Sequence, residues 1–346
     1  MIPICLFRTL PLLLFGMILI VGQANAAETR QSNSPDCALQ LSGKLVAGDF
    51  EAFSREAQAA GLVDGKGGSE ARNADSYALC LDSEGGSYHE GRLIAEKVHS
   101  LGISTRVRPE ARCFSACANI FMAGRSLGDE VDGPSRILHI GGQLGFHAPY
   151  YRLPAGQSIP PAQVERIVTQ MNVLLSDFIR FGSYSSFSNS RPMFSLSLFQ
   201  QMLAHGPDEV ALVDTVEELA RWGIRLEGHK EAAKLTDRQR VQACVNHLAW
   251  SLDQPSQRAH DLLTVSERVT YDSFWPDPVT FAVIETGGLA RQYCNIEITK
   301  TAEPGILVCT WNGFNGLVHG DCKEGMALWE PWYWALPPDT KLVDLR

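Results

Sequence analysis

Leu79-Cys80-Leu81-Asp82-Ser83-Glu84-Gly85-Gly86-Ser87 decides how the rest of the chain is read. Tyr77 to Leu81 is apolar on both faces, the pattern of a parallel strand covered on its two sides. The strand runs into a Gly-Gly turn, where positive φ is allowed and another segment can approach the backbone closely. A helix follows at once, Tyr88 to Leu101, with Leu93, Ile94, Val98 and Leu101 on one face and Gly102 as its stop. The turn contains no Walker sequence and no G-x-G-x-x-G, so phosphate cradling is unsupported.

Two downstream segments complete the pattern. Cys113-Phe114-Ser115-Ala116-Cys117 places a serine between two cysteines at the start of an apolar helix, Ala116 to Ala123. Leu144-Gly145-Phe146-His147-Ala148-Pro149 places a histidine after a glycine-containing strand end. A turn offering backbone N–H groups, a serine at a strand-to-helix junction and a histidine are the parts of an acyl-transfer site. Ser115 would be the nucleophile and His147 its base, with the Gly85 and Ala116 N–H groups as oxyanion donors. Each part also has an ordinary reading: a tight turn, an N-cap serine, a hydrogen-bonded structural histidine. His139, in the strand just before, is a rival base, although its strand setting favours core packing. His89 and His99 fall on helix surfaces.

The surrounding pattern is strand, helix, strand, helix, strand with short loops, which predicts an α/β fold with a parallel or mixed layer. Cys37 to Leu41 alternates like a strand, and Phe50 to Ala60 reads as a helix with Asp49 as its N-cap. Ile103 to Val107 and Arg136 to Ile140 read as further strands. Pro160 to Phe181 is a long amphipathic helix whose stripe includes Val164, Ile167, Val168, Met171 and Leu175. Leu196 to Ala204, Val210 to Val213 and Thr215 to Trp222 read as helix, strand and helix, with Asp214 or Thr215 as the last cap. Gly223 to Leu226 looks like a closing strand. Beyond a charged linker, residues 240–346 change character: Val279 to Glu285, Cys294 to Lys300 and Ile306 to Trp311 alternate like antiparallel strands. Five of the seven tryptophans fall within 275–334. This predicts a separate small β-rich domain.

Composition bounds the partners. The chain has 346 residues, 45% hydrophobic and 20% charged, with a net charge of −9 and no basic run. Nucleic acid is therefore not an expected partner. Residues 1–26 carry Arg8, an apolar run from Leu10 to Gly22, and Ala24-Asn25-Ala26, the pattern of a secretory signal cleaved after Ala26. The run is shorter than the ~20 residues a bilayer span requires. A periplasmic or secreted location follows. Removing the signal removes Cys5 and leaves Cys37, Cys80, Cys113, Cys117, Cys244, Cys294, Cys309 and Cys322. An even set in an exported chain predicts disulfides, four cysteines in each half. Four cysteines allow three connectivities; for the first half we expect Cys37–Cys80 and Cys113–Cys117. No His/Cys partners with zinc-site spacing accompany Cys113 and Cys117, so neither a metal nor another cofactor is expected.

In order and spacing, the Ser83-Glu84-Gly85-Gly86 turn, the C-x-S-x-C serine and the G-F-H-x-P histidine resemble the Clp-type serine peptidases of the ClpP/crotonase superfamily. The closer resemblance is to a group of exported bacterial Clp-like proteins with a D-S-x-G-G-S turn, a C-x-S-A-C serine segment and a G-F-H-x-P histidine. The resemblance covers roughly residues 37–227. It implies a ClpP/crotonase-like spiral of β-β-α units with a long helix, Ser115 as nucleophile, His147 as base, a peptide or protein substrate, and self-association through the helix at 161–181. Glu84 stands where those peptidases have proline, and cysteines bracket the serine in place of small residues. The family places its acidic triad member where this chain has Asp208, Glu209 and Asp214; Asp208 is our expectation, with a Ser–His dyad or a carbonyl orienting His147 as alternatives. An acyl-CoA enzyme of the same superfold fits less well, because no basic phosphate site is visible. The rival class is a catalytically inactive Clp-like module that binds a peptide or an envelope protein.

Overall fold

A computed structural model describes residues 26–62, 78–127, 132–150, 156, 159–183, 192–206, 208–230, 234–257, 270–272, 279–286, 290–298, 305–313 and 326–346. The signal segment, Tyr77, most of the Leu62 to Asn73 connection and Cys322 lie outside the described residues, as do the side chains of Cys294 and Cys309.

In chain order, β1 (Glu28–Gln31), β2 (Leu39–Ser42), α1 (Asp49–Ala59), β3 (Ala78–Asp82), α2 (Tyr88–Leu101) and β4 (Ser104–Val107) come first. Then follow β5 (Arg112–Phe114), α3 (Ala116–Met122), the hairpin of β6 (Arg125–Leu127) and β7 (Asp132–Pro134), β8 (Arg136–His139) and β9 (Gln143–Phe146). The long helix α4 (Pro161–Gly182) leads to α5 (Leu196–Ala204), β10 (Ala211–Leu212), α6 (Val216–Arg221) and β11 (Arg225–Glu227). The last part holds α7 (Asp237–Trp250), β12 (Thr270–Asp272), β13 (Val279–Thr286), β14 (Ala290–Ile298), β15 (Ile306–Gly313) and β16 (Met326–Glu330).

The main sheet has the order β1-β2-β3-β4-β8-β11, parallel from β2 to β11. Four of the five β3 residues are buried, as the two-sided apolar pattern predicts for a central strand. A second sheet, β10-β9-β5, sets β5 and β9 parallel. The result is a mixed α/β fold built on a parallel-strand sheet. Ser87 caps α2 by accepting the Glu90 N–H, and Gly102 closes it at φ 66°. Phe53, Leu79, Ile94 and Phe121 are fully buried between sheet and helices. Truncating one of these phenylalanines to alanine would cost about 3–5 kcal/mol.

Both expected disulfides of the first half form, Cys37–Cys80 and Cys113–Cys117. Cys244 is also disulfide-bonded. One local expectation needs correction, and one left open is decided. Gly48 is the N-cap of α1 and the buried Asp49 carboxylate turns back to accept the Val46 N–H at 2.7 Å. At α6, Thr215 is the cap, in a reciprocal pair with Glu218, and Asp214 bonds Lys341 at 2.8 Å instead.

The strands β12 to β16 form one antiparallel sheet, as their alternation predicts. This C-terminal part shares its core with the first unit. Trp250, Tyr333, Ile306 and Leu226 belong to one buried cluster. The final segment returns across the first unit: Val216 N–H donates to the Thr340 carbonyl, Leu342 N–H to Asp214, and Lys230 N–H to Leu345. Leu226 N–H donates to the Tyr333 hydroxyl at 3.1 Å. Among the described residues no helix is long and apolar enough to cross a membrane. The two disulfides are compatible with an extracytoplasmic location.

Candidate active site

Ser115 stands between the end of β5 and the start of α3 with φ 57° and ψ −123°. A non-glycine residue there carries about 1–3 kcal/mol of backbone strain, which persists only where the surroundings over-determine it. The surroundings do so. Ser115 N–H donates to the Gly145 carbonyl at 3.1 Å, Phe114 N–H to Ser83 at 3.1 Å, and Ser83 N–H to Arg112 at 2.6 Å. An ordinary N-cap serine would accept an N–H of the first turn through its hydroxyl. The Ser115 hydroxyl makes no such bond, so helix capping does not account for this residue.

The Gly-Gly turn lies directly against this junction. Gly85 has φ 87°, and a Cβ built on it would fall 2.6 Å from the Phe114 carbonyl oxygen, 2.8 Å from Ser115 Cβ and 3.0 Å from Ala116 N. Gly86 has φ 138°, and its Cβ would strike the Leu45 carbonyl oxygen at 2.2 Å. Only glycine fits either position. Leu45 N–H donates to Gly85 O, and Ser87 N–H donates to Leu45 O, both at 2.8 Å. That pairing turns the Gly86 N–H away from Leu45. The Gly85 N–H, expected as an oxyanion donor, is instead given to Ser83 Oγ at 3.1 Å. Sequence alone had no means of choosing between the two glycines. Ala116, as the first residue of α3, has an N–H without an intrahelical acceptor. The turn is paired on one side by Leu45 and on the other by β5 through a Ser83–Cys113 bridge.

His147 leaves the end of β9 as Ser115 leaves the end of β5. The two strands are parallel with Phe114 opposite Gly145, so both residues emerge at the same end of the same sheet. His147 is 9% exposed, and its Nδ1 lies 2.8 Å from the Ala148 carbonyl oxygen. A carbonyl only accepts, so Nδ1 carries the proton and Nε2 is left as the basic nitrogen. Tyr150 lies beside the ring at 5.4 Å between centroids. No hydrogen bond joins Ser115 Oγ to His147 in this conformation.

The acidic candidates are not on the ring. Asp208 is exposed, in the turn after His205, whose carbonyl accepts the Ala148 N–H at 3.3 Å. The segment thus reaches the histidine turn, while the Nδ1 position that a triad carboxylate would occupy is held by Ala148. Glu209 is exposed and Asp214 belongs to Lys341. His139 lies in the other sheet with Nδ1 on the Ile140 carbonyl at 2.6 Å. His89 is exposed on α2, and His99 Nε2 lies 3.2 Å from the Arg125 guanidinium. Among the described residues no group of three His, Cys, Asp or Glu side chains is placed to hold a metal ion.

No protein-family model matches the chain, and no curated protein matches it. Among solved structures, a ClpP1 variant from Listeria monocytogenes aligns over 55% of this chain and 91% of its own, at 13% identity and a TM-score of 0.34.

Proposed function

We propose that the protein is an exported Clp-like serine hydrolase acting as a peptidase. The observation that carries this reading is Ser115 held at positive φ on a strand-to-helix junction, with His147 leaving the neighbouring parallel strand at the same end. Its Clp-like character rests on the sequence motifs. In the reaction, His147 Nε2 takes the Ser115 hydroxyl proton as Oγ attacks the scissile carbonyl carbon. The Ala116 and Gly86 N–H groups receive the oxyanion, and the protonated imidazole returns its proton to the leaving amine. Water then releases the acyl group by the same route in reverse. The Ala148 carbonyl holds the ring in the required tautomer.

A fluorophosphonate probe tests this on the oxidised mature protein. Wild type is expected to label, with labelling abolished in Ser115→Ala and His147→Ala. The second reading, an inactive peptide- or envelope-protein-binding module, is favoured by the missing Ser115–His147 hydrogen bond. A folded wild type that does not label would sink the hydrolase reading and promote this one.

Self-association through α4 belongs to the same proposal. The C-terminal end of that helix is anchored, since Phe178 and Phe181 pack with Phe194 and Phe199. Its earlier turns leave Val164 and Val168 exposed at 44% and 53%, with Met171 and Leu175 half-buried along the same stripe. A second copy of the chain is the proposed cover.

A further inference from the structure

The Cys113–Cys117 disulfide has no part in the acyl-transfer scheme, yet its cysteines sit two residues either side of Ser115, with Cα atoms 5.1 Å apart. In elbows of the G-x-S-x-G type those two positions are glycine, on a turn sharp enough to leave the serine strained and exposed. Here both carry side chains that point at each other. Two unbonded sulfur atoms need the usual contact separation of roughly 3.5–4 Å, against about 2 Å for a bonded pair. Both cysteines are fully buried within the apolar cluster. Close packing leaves two thiols no room to part unless the chain moves. The segment between them has the strained Ser115 at its centre.

We propose that the Cys113–Cys117 disulfide is needed, beside the hydrogen bonds around the junction, to hold Ser115 in its left-handed conformation, so that the site is assembled only in the disulfide form. This deepens the acyl-transfer reading, and its consequence for catalysis rests on that reading; the conformational claim stands without it. The setting step is thiol–disulfide exchange with an external disulfide such as oxidised glutathione. The two cysteine thiols lose two protons and two electrons as Sγ–Sγ forms, and the external S–S bond breaks to two thiols. In a reducing compartment the same chain has two thiols and a relaxed Ser115, and oxidation locks it. Because the bonded sulfurs are buried, the lock is set once and does not toggle.

The test compares wild type with Cys113→Ala/Cys117→Ala in the mature protein, with Cys37→Ala/Cys80→Ala as the control that removes a different bond. Two readouts are taken: hydrogen exchange at the Ser115 and Asn119 amides, and the rate of fluorophosphonate labelling. We expect the Ser115 and Asn119 amides to exchange at least tenfold faster in the alanine pair, with other protected amides unchanged. Labelling should fall at least tenfold in the alanine pair and remain in the control. Wild type refolded with reductant should lose labelling and recover it on re-oxidation, whereas the alanine pair should not respond to oxidant. Unchanged exchange at Ser115 and Asn119 would overturn the proposal. Loosened amides in a protein whose oxidised wild type never labels would uphold the lock while ending the hydrolase reading. Should the alanine pair not fold, wild type unfolded and refolded in a phosphine reductant gives the same exchange readout, judged by the same criterion.

Discussion

His147 Nδ1 donates to the Ala148 carbonyl at 2.8 Å, so the ring is oriented by the chain that carries it. Asp208 is exposed, and the Nδ1 position is held by the Ala148 carbonyl. A triad aspartate replaced by asparagine loses about 10⁴-fold in rate, whereas we expect Asp208→Asn to label within about threefold of wild type. A loss near the larger figure would restore the carboxylate to the site. The glycines respond differently. The Cβ of Gly85→Ala would press on the Phe114 carbonyl and on Ser115 Cβ, at 2.6 and 2.8 Å. Displacing the turn removes an oxyanion donor, so labelling should fall about 100-fold or more. The motif made Ser115 and His147 legible because each sits at a local junction marked by neighbours in sequence. Which glycine N–H is available was not legible, because the Ser83 hydroxyl claims one of them only once the turn has closed.

At the scale of elements, the two disulfides close loops of very different length, with sequence separations of 43 and 4. In the chain-entropy account, removing Cys37–Cys80 costs about 4 kcal/mol and removing Cys113–Cys117 about 2 kcal/mol. Denaturant melts should rank the two alanine pairs in that order, while labelling rates should rank them the other way. Similar labelling losses in both pairs would mean that the short bridge acts only through stability. The long helix makes a separate prediction. Val164→Asp/Val168→Asp puts charge on the exposed stripe without touching the Phe178 anchor, and should convert an assembled protein to monomer in sedimentation velocity. A monomeric wild type at micromolar concentration would remove self-association from the reading.

On the scale of the whole molecule, the C-terminal segment binds the first unit through His229, Tyr333 and Lys341. His229 lies against Trp332 and Tyr333, at 6.0 and 5.3 Å between ring centroids. Its Nδ1 is buried without a hydrogen bond, and burial pushes its pKa below the ordinary 6.5. A depressed histidine favours folding in its neutral form. That stability is complete above pH 6.5 and is lost as pH falls through the lower folded value. Thermal midpoints should therefore fall on acidification below pH 6.5, and His229→Phe should flatten that part of the profile. An unchanged slope in the variant would place the acid sensitivity elsewhere. Tyr333, with its phenol fully buried and its pKa pushed far up by desolvation, accepts the Leu226 N–H. Tyr333→Phe leaves that N–H unpaired, at about 1–3 kcal/mol.

What the sequence determined by itself is what short-range physics controls. The helix α2 runs Tyr88–Leu101 as its apolar spacing and Gly102 stop predict, α5 runs Leu196–Ala204, and alternation predicted the antiparallel strands near the C-terminus. Each rests on residues within a few positions of one another. The tertiary structure decided the rest. An aspartate before a helix suggests a cap, but Asp49 accepts the Val46 N–H, and the first-turn N–H of Phe50 goes to Glu90, 40 positions away. The Ala148 carbonyl takes the place expected for Asp208, and Asp214 pairs with Lys341, 127 positions away. Leu226 finds its acceptor 107 residues later. Partners that distant leave no periodicity to read, because loop closure and packing select them after the local elements have formed.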